Sequence, residues 1–160
     1  MLRLPLVFLL AGLASFSADP PLVPLGVCEV LRDLASYDGK SIAVIGRYSF
    51  RETGSWIGEQ TCDPPLEGSV PAQLWLVRDS FRGPKPPGTF ELDGVALNRK
   101  FAQIRRHTSL GKFRFGTPDY DRWSIIFGEV KRLQGEDARK APANFVYRGD
   151  GVVINLTPDQ

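Results

Sequence analysis

The spacing of apolar and polar positions changes several times along the chain, and each change marks an element. Val27, Val30, Leu31 and Leu34 recur at helical spacing, with Glu29, Arg32, Asp33 and Ser36 between them, which predicts one helix over 27–37. Asp38-Gly39 ends that helix, since glycine adopts the positive φ of a helix C-terminus without steric cost. Residues 41–50 then alternate: Ile42, Val44 and Tyr48 point one way, and Ser41, Arg47 and Ser49 the other. Ile45 interrupts the polar side, so this strand is expected to be covered in part on both faces. Gly46 in its middle predicts a bulge or a sharp bend.

A turn at Glu52-Thr53-Gly54 leads into a second short strand over 55–62, which carries Trp56 and Ile57 and stops at Cys62-Asp63-Pro64-Pro65. The run "AQLWLVR" at 72–78 reads as a third strand, buried on both sides, and the prolines of "GPKPPG" at 83–88 exclude regular structure. Residues 93–107 form the strongest helical pattern. Leu97, Phe101 and Ile104 share one face, Arg99, Gln103 and Arg106 the opposite one, and Asp93 stands at the N-cap position. Arg105, Arg106 and His107 then crowd the negative pole of the helix dipole. A strand over 123–133 contains a second central glycine, Gly128. Residues 145–147 and 152–156 are expected to pair as a hairpin across Arg148-Gly149-Asp150-Gly151. Helix, three strands, helix, and two or three strands is the order of a mainly β fold with two helices, a small OB-like barrel of five to six strands.

This order has a family likeness. The segment "VCEVLRDLASYDGKSIAVIGRYS", the tryptophan-bearing second strand, Cys62 near its end and the late aromatic strand resemble small uncharacterised secreted bacterial proteins with an OB-fold-like domain. The resemblance covers most of the chain after its N-terminal segment and is specific at 27–48. It implies a fold and an export route, and no activity.

The N-terminus supports export on its own terms. Arg3 precedes ten mostly apolar residues at 4–13, and Ser15 and Ser17 supply small residues at cleavage positions, which predicts a signal peptide over 1–17. The competing reading is a buried N-terminal strand or helix. The apolar run is about half the roughly twenty residues that a membrane-spanning helix needs. A single OB-like β-barrel domain with an N-terminal helix is expected over 18–160, and no span is expected in the mature chain. In an oxidising compartment Cys28 and Cys62 would form a structural disulfide. Two buried free thiols or a redox pair are the alternatives, although the spacing is not C-x-x-C. With one distant histidine the two cysteines make a poor zinc site, so no metal and no cofactor are expected.

Composition adds limits rather than a function. The chain has 160 residues, which suits one domain, and a net charge of +2, too small to imply a nucleic-acid partner. Gly39-Lys40-Ser41 ends like a phosphate-binding loop, but Leu34 stands where that loop needs glycine, and the helix precedes the strand instead of following it.

Candidate chemistry is sparse. His107 is the sole histidine, no serine lies in G-x-S-x-G, and the bland reading of His107 is a surface residue at a helix end. Glu52 with Glu59, or Asp119 with Asp121, are acidic pairs of the kind glycoside hydrolysis requires, though ordinary solvated turns explain them as well. In "RRHTSLGKFRFGTPDYDR" at 105–122, Lys112 and Arg114 alternate with Phe113 and Phe115. Together with Arg99 and Arg106 they form the candidate binding surface, of a type suited to polyanions or oligosaccharides. The leading expectation is an exported, non-enzymatic binding or interaction module, periplasmic or extracellular, for an undefined ligand or protein. A small carboxylate-dependent hydrolase of glycans and a structural envelope protein are the alternatives.

Overall fold

The structure is a computed structural model and describes residues 21–87, 92–111, 116, 118–149 and 154–155. The elements are β1 (Leu25–Gly26), α1 (Val27–Arg32), α2 (Leu34–Tyr37), β2 (Ser41–Arg51), β3 (Gly54–Gly58), β4 (Gln73–Arg78), α3 (Gly94–Arg105), β5 (Tyr120–Arg132), β6 (Ala143–Tyr147) and β7 (Ile154–Asn155). A 3-10 turn at Asp137–Arg139 separates β5 from β6. Strands β2, β3 and β4 pair antiparallel in succession, and β4 pairs parallel with β6. Strand β6 pairs antiparallel with β5, which pairs antiparallel with β2 and closes a five-stranded barrel. The expected OB-like barrel is therefore present, with short β1 and β7 added at its margins.

The alternation in β2 explains how the barrel is packed. Val44 faces the interior with Ile57, Leu74, Leu76, Ile126, Val130, Ala143 and Phe145, and Val27 and Val30 of α1 join the same cluster. Ala43 and Ile45 lie on the other face with Trp123, Ile125 and Phe127 of β5. Helix α3 covers this second face with Ile104, and Leu97 and Phe101 pack beside it. The Phe101 and Trp123 rings meet edge to face at 5.2 Å. Ile45 thus breaks the polar side of β2 because that side is also buried. The Asp93 carboxylate caps α3, accepting from the Val95 and Ala96 amides at 3.0 Å each.

Four expectations are corrected. The helix over 27–37 is interrupted at Asp33 (φ −129°, ψ 48°), which leaves two short helices and three in all among the described residues. Gly46 makes no bulge against β5, because the β2–β5 register runs without a break from Ser41↔Glu129 to Phe50↔Tyr120. Glycine is needed there for space: a Cβ would stand 3.0 Å from the Gly58 carbonyl and 3.1 Å from Ile57. The second strand ends at Gly58 rather than residue 62. Finally, β7 pairs with β5 and not with β6 in a hairpin. Strand β6 already has β4 and β5 as neighbours on its two edges; residues 150–151 of the expected turn and 152, 153 and 156 of the expected strand lie outside the described residues.

Cys28 and Cys62 form a disulfide with a Cα–Cα distance of 5.6 Å, and both residues are buried. The bond joins α1 to the segment that follows β3. No helix among the described residues is long and apolar enough to cross a membrane. The expected signal peptide over 1–17 lies outside the described residues.

Candidate functional site

Of the four basic residues expected to bind, Arg99 and Arg106 are exposed on α3 and its C-terminal end, while Lys112 and Arg114 lie outside the described residues. Arg106 lines the cleft between the start of α1 and the end of α3, and Arg99 is not among that cleft's lining residues. The acidic pairs also separate. Glu52 is exposed in the turn between β2 and β3, whereas Glu59 is buried just beyond the far end of β3. Asp119 and Asp121 pair with Arg51 at 3.9 and 2.8 Å. Burial pushes the Asp121 carboxyl up, but hydrogen bonds from Arg51 and from the Gly111 amide outweigh it and hold the group below its ordinary range. These two aspartates fasten β5 to β2.

The first concavity, about 490 Å³, lies between the start of α1 and the end of α3. The short helix α1 leaves amide N–H groups without helical partners, and two carboxylates accept them. Glu29 accepts from the Gly26 amide at 2.6 Å and Glu59 from the Cys28 amide at 2.9 Å. Gly26 makes room for both, since a Cβ there would stand 3.1 Å from Glu59 Oε1 and 3.3 Å from Glu29 Oε2. The other oxygen of Glu59 meets His107 Nε2 at 2.6 Å, and the Glu59 side chain is only 3% exposed. Lys100 of α3 binds Glu29 across the cleft at 2.6 Å. His107 is therefore not a free surface residue at a helix end.

The neighbouring residues hold this pair in place. The Gln60 amide donates to Thr108 Oγ1 at 3.0 Å, and the Ser109 amide donates to Gln60 Oε1 at 2.8 Å. The Arg47 guanidinium reaches the Ser109 carbonyl at 2.9 Å. With the Ser109 hydroxyl, which also donates to Gln60 Oε1 at 3.2 Å, four polar links join residues 59–60 to 107–109, and the disulfide at Cys62 fixes the same segment from the other side. Cys28 Sγ, Glu59 and His107 lie close enough together to suggest metal ligation. In the disulfide, however, Cys28 has no thiolate to offer, which leaves two protein ligands where a zinc site uses three or four.

The second concavity, about 340 Å³, lies on the outer face of the barrel. Inward Leu74 and Leu76 leave Trp75 and Val77 facing outward on β4, so this strand is not buried on both sides as expected. Trp75 is paired in register with Trp56 of β3, and the rings stack at 5.8 Å with an 18° tilt. Arg51 lies over the Trp56 ring at 5.7 Å. The Trp75 indole covers Gly54, where any side chain would collide with it. Val77 and Asn144 extend the floor from Trp75, and Leu133, Asp137 and Lys140 supply a wall. A hydrogen bond of 3.0 Å from Gln73 to the Lys140 carbonyl ties that wall to β4.

Sequence reasoning named Glu59 and His107 without joining them, and treated Trp56 and Trp75 as strand residues only. Strand parity carried the missing signal. Glu59 shares the parity of inward Ile57, and His107 follows buried Ile104 by three residues, so each is a polar group on an apolar face. Comparison with protein-family models, curated proteins and solved structures finds no match for the chain.

Proposed function

We propose that the chain is an exported binding module for an oligosaccharide, received in the outer groove beside Trp75. The observation that carries this reading is a half-buried tryptophan, stacked on a second one, in the floor of a groove whose lining also includes the polar side chains of Asp137, Lys140 and Asn144. An indole face suits the C–H face of a pyranose ring, and Asp137, Lys140 and Asn144 offer acceptors and donors to its hydroxyls. The face of the second and third barrel strands is also where OB-folds bind oligosaccharides and oligonucleotides, and β3 and β4 are those strands here. Asp137 and Lys140 cancel in charge, so the groove favours a neutral glycan over a polyanion. The disulfide and the leader-like N-terminus support export.

Soluble cellohexaose, chitohexaose and heparin oligosaccharides, titrated with tryptophan fluorescence and calorimetry, test the reading. A neutral hexaose is expected to bind with little dependence on salt. Trp75→Ala is expected to abolish binding, and Arg99→Ala to leave it unchanged. Binding of heparin alone, weakening steeply with salt, would replace the groove with a polyanion surface. No binding by any of the three, or full binding by Trp75→Ala, would reject the proposal.

A further inference from the structure

The cleft between α1 and α3 has a different chemistry, because a buried carboxylate orients a histidine toward a water-accessible space. We propose that this cleft is a hydrolytic site for an anionic ester, with His107 as general base and Glu59 as its positioning residue. The Glu59 carboxylate accepts from His107 Nε2 at 2.6 Å, so the hydrogen sits on Nε2 and the lone pair on Nδ1. No described residue hydrogen-bonds Nδ1, and the His107 side chain, 24% exposed, lines the cleft. Ring orientation is fixed at both ends: Cys28 N–H holds Glu59, and the Gln60 links to Thr108 and Ser109 hold the backbone beside the histidine.

The lining also specifies the nucleophile and the substrate class. No serine or threonine lines this cleft among the described residues, Cys28 is oxidised, and the lining carboxylates Glu29 and Glu59 are held by Lys100 and His107; Asp63, the remaining carboxylate of the lining, is exposed, and water is taken as the attacking group. Arg106 lines the same space with no described partner for its guanidinium, next to Lys100 and Arg32. Lys100 is engaged by Glu29, and Arg32 donates to the Pro64 carbonyl at 2.7 Å, which leaves Arg106 to receive an oxyanion. In the reaction His107 Nδ1 takes a proton from water as the water oxygen bonds to the ester phosphorus or carbon. The bond to the leaving oxygen breaks, and the imidazolium returns the proton to that oxygen. Ester and water become acid and alcohol, with no other reactant.

Bis(p-nitrophenyl) phosphate and mono-p-nitrophenyl succinate distinguish a phosphodiester from a carboxylate-bearing carboxyl ester. Saturable release of nitrophenolate from either supports the proposal and assigns the class. His107→Ala is expected to lower kcat by about 10²-fold or more. Glu59→Gln is expected to lower kcat at constant KM and to change the pH profile, a response that loss of packing alone would not give. The exposed Arg106 carries little folding risk, and Arg106→Ala is expected to raise KM roughly tenfold at nearly constant kcat. Circular dichroism and intact mass confirm that each variant is folded and disulfide-bonded. Absence of saturable hydrolysis of both esters by the parent chain, or equal rates in parent and His107→Ala, would overturn it.

Discussion

Replacing the disulfide with a Cys28→Ala/Cys62→Ala pair gives the most direct measure of what holds α1 on the barrel. The bond spans 34 residues, and the chain-entropy relation for a loop of that length gives about 4 kcal/mol of stabilisation through the unfolded state. A domain of this size commonly has a total stability of 5–15 kcal/mol, so the variant is expected to remain folded at low temperature with a reduced margin. The native state changes in one region. Cys28 lies in the first turn of the helix whose Val27 and Val30 enter the interior cluster, and Cys62 ends the segment carrying Glu59. Urea unfolding followed by tryptophan fluorescence is expected to show a free energy lower by about 4 kcal/mol and a steeper m-value, because the unfolded chain is no longer looped. Amide exchange is expected to rise first in α1 and at residues 59–62. A stability loss under about 1 kcal/mol, or exchange that rises uniformly, would refute the argument that this crosslink is the main tether of α1.

Two further outcomes test the packing and the ionisation inside the barrel. A Cβ at Gly128 would stand 2.7 Å from both the Phe145 ring and the Val146 carbonyl, so Gly128→Ala is expected to cost about 1–3 kcal/mol by overpacking, read by urea titration. Burial, reinforced by Tyr120, pushes the Tyr48 hydroxyl up to about 12. The folded chain keeps that proton where the unfolded chain releases it, so this stabilisation is complete below about pH 10 and is lost as pH rises toward 12. Stability measured across that range is expected to fall, with a shallower slope in Tyr48→Phe.

What the sequence discloses and what it conceals divide along the range of the interactions. The face of α3, its Asp93 cap and the two-sided burial of β2 depend on neighbours a few residues away, and each is visible in the spacing of Leu97, Phe101 and Ile104 or in the position of Ile45. The hairpin proposed at 145–156 fails for a global reason, because both edges of β6 are occupied by strands distant in sequence. The bulge expected at Gly46 is absent for a related reason. A central glycine is compatible with a bulge or with crowding, and only the approach of Ile57 and the Gly58 carbonyl decides between them. Glu59 and His107 are 48 residues apart, and their contact depends on where α3 ends against the barrel.

That contact also separates fold from function in this chain. An ion-pair-like contact taken from water returns little net stability, and well-packed apolar groups often serve a core equally well or better. The barrel interior follows that rule with Ile, Val, Leu, Ala and Phe. The cleft departs from it: it buries a carboxylate, keeps Gly26 small enough to admit two carboxylate oxygens, and joins the histidine segment to residues 59–60, just beyond β3, through four polar links. Closure of the barrel does not require this arrangement, since the ring is completed by the β2–β5 and β4–β6 ladders elsewhere. The physical account that uses every part of it is orientation of one imidazole toward solvent, which makes His107 the residue on which a catalytic reading stands or fails.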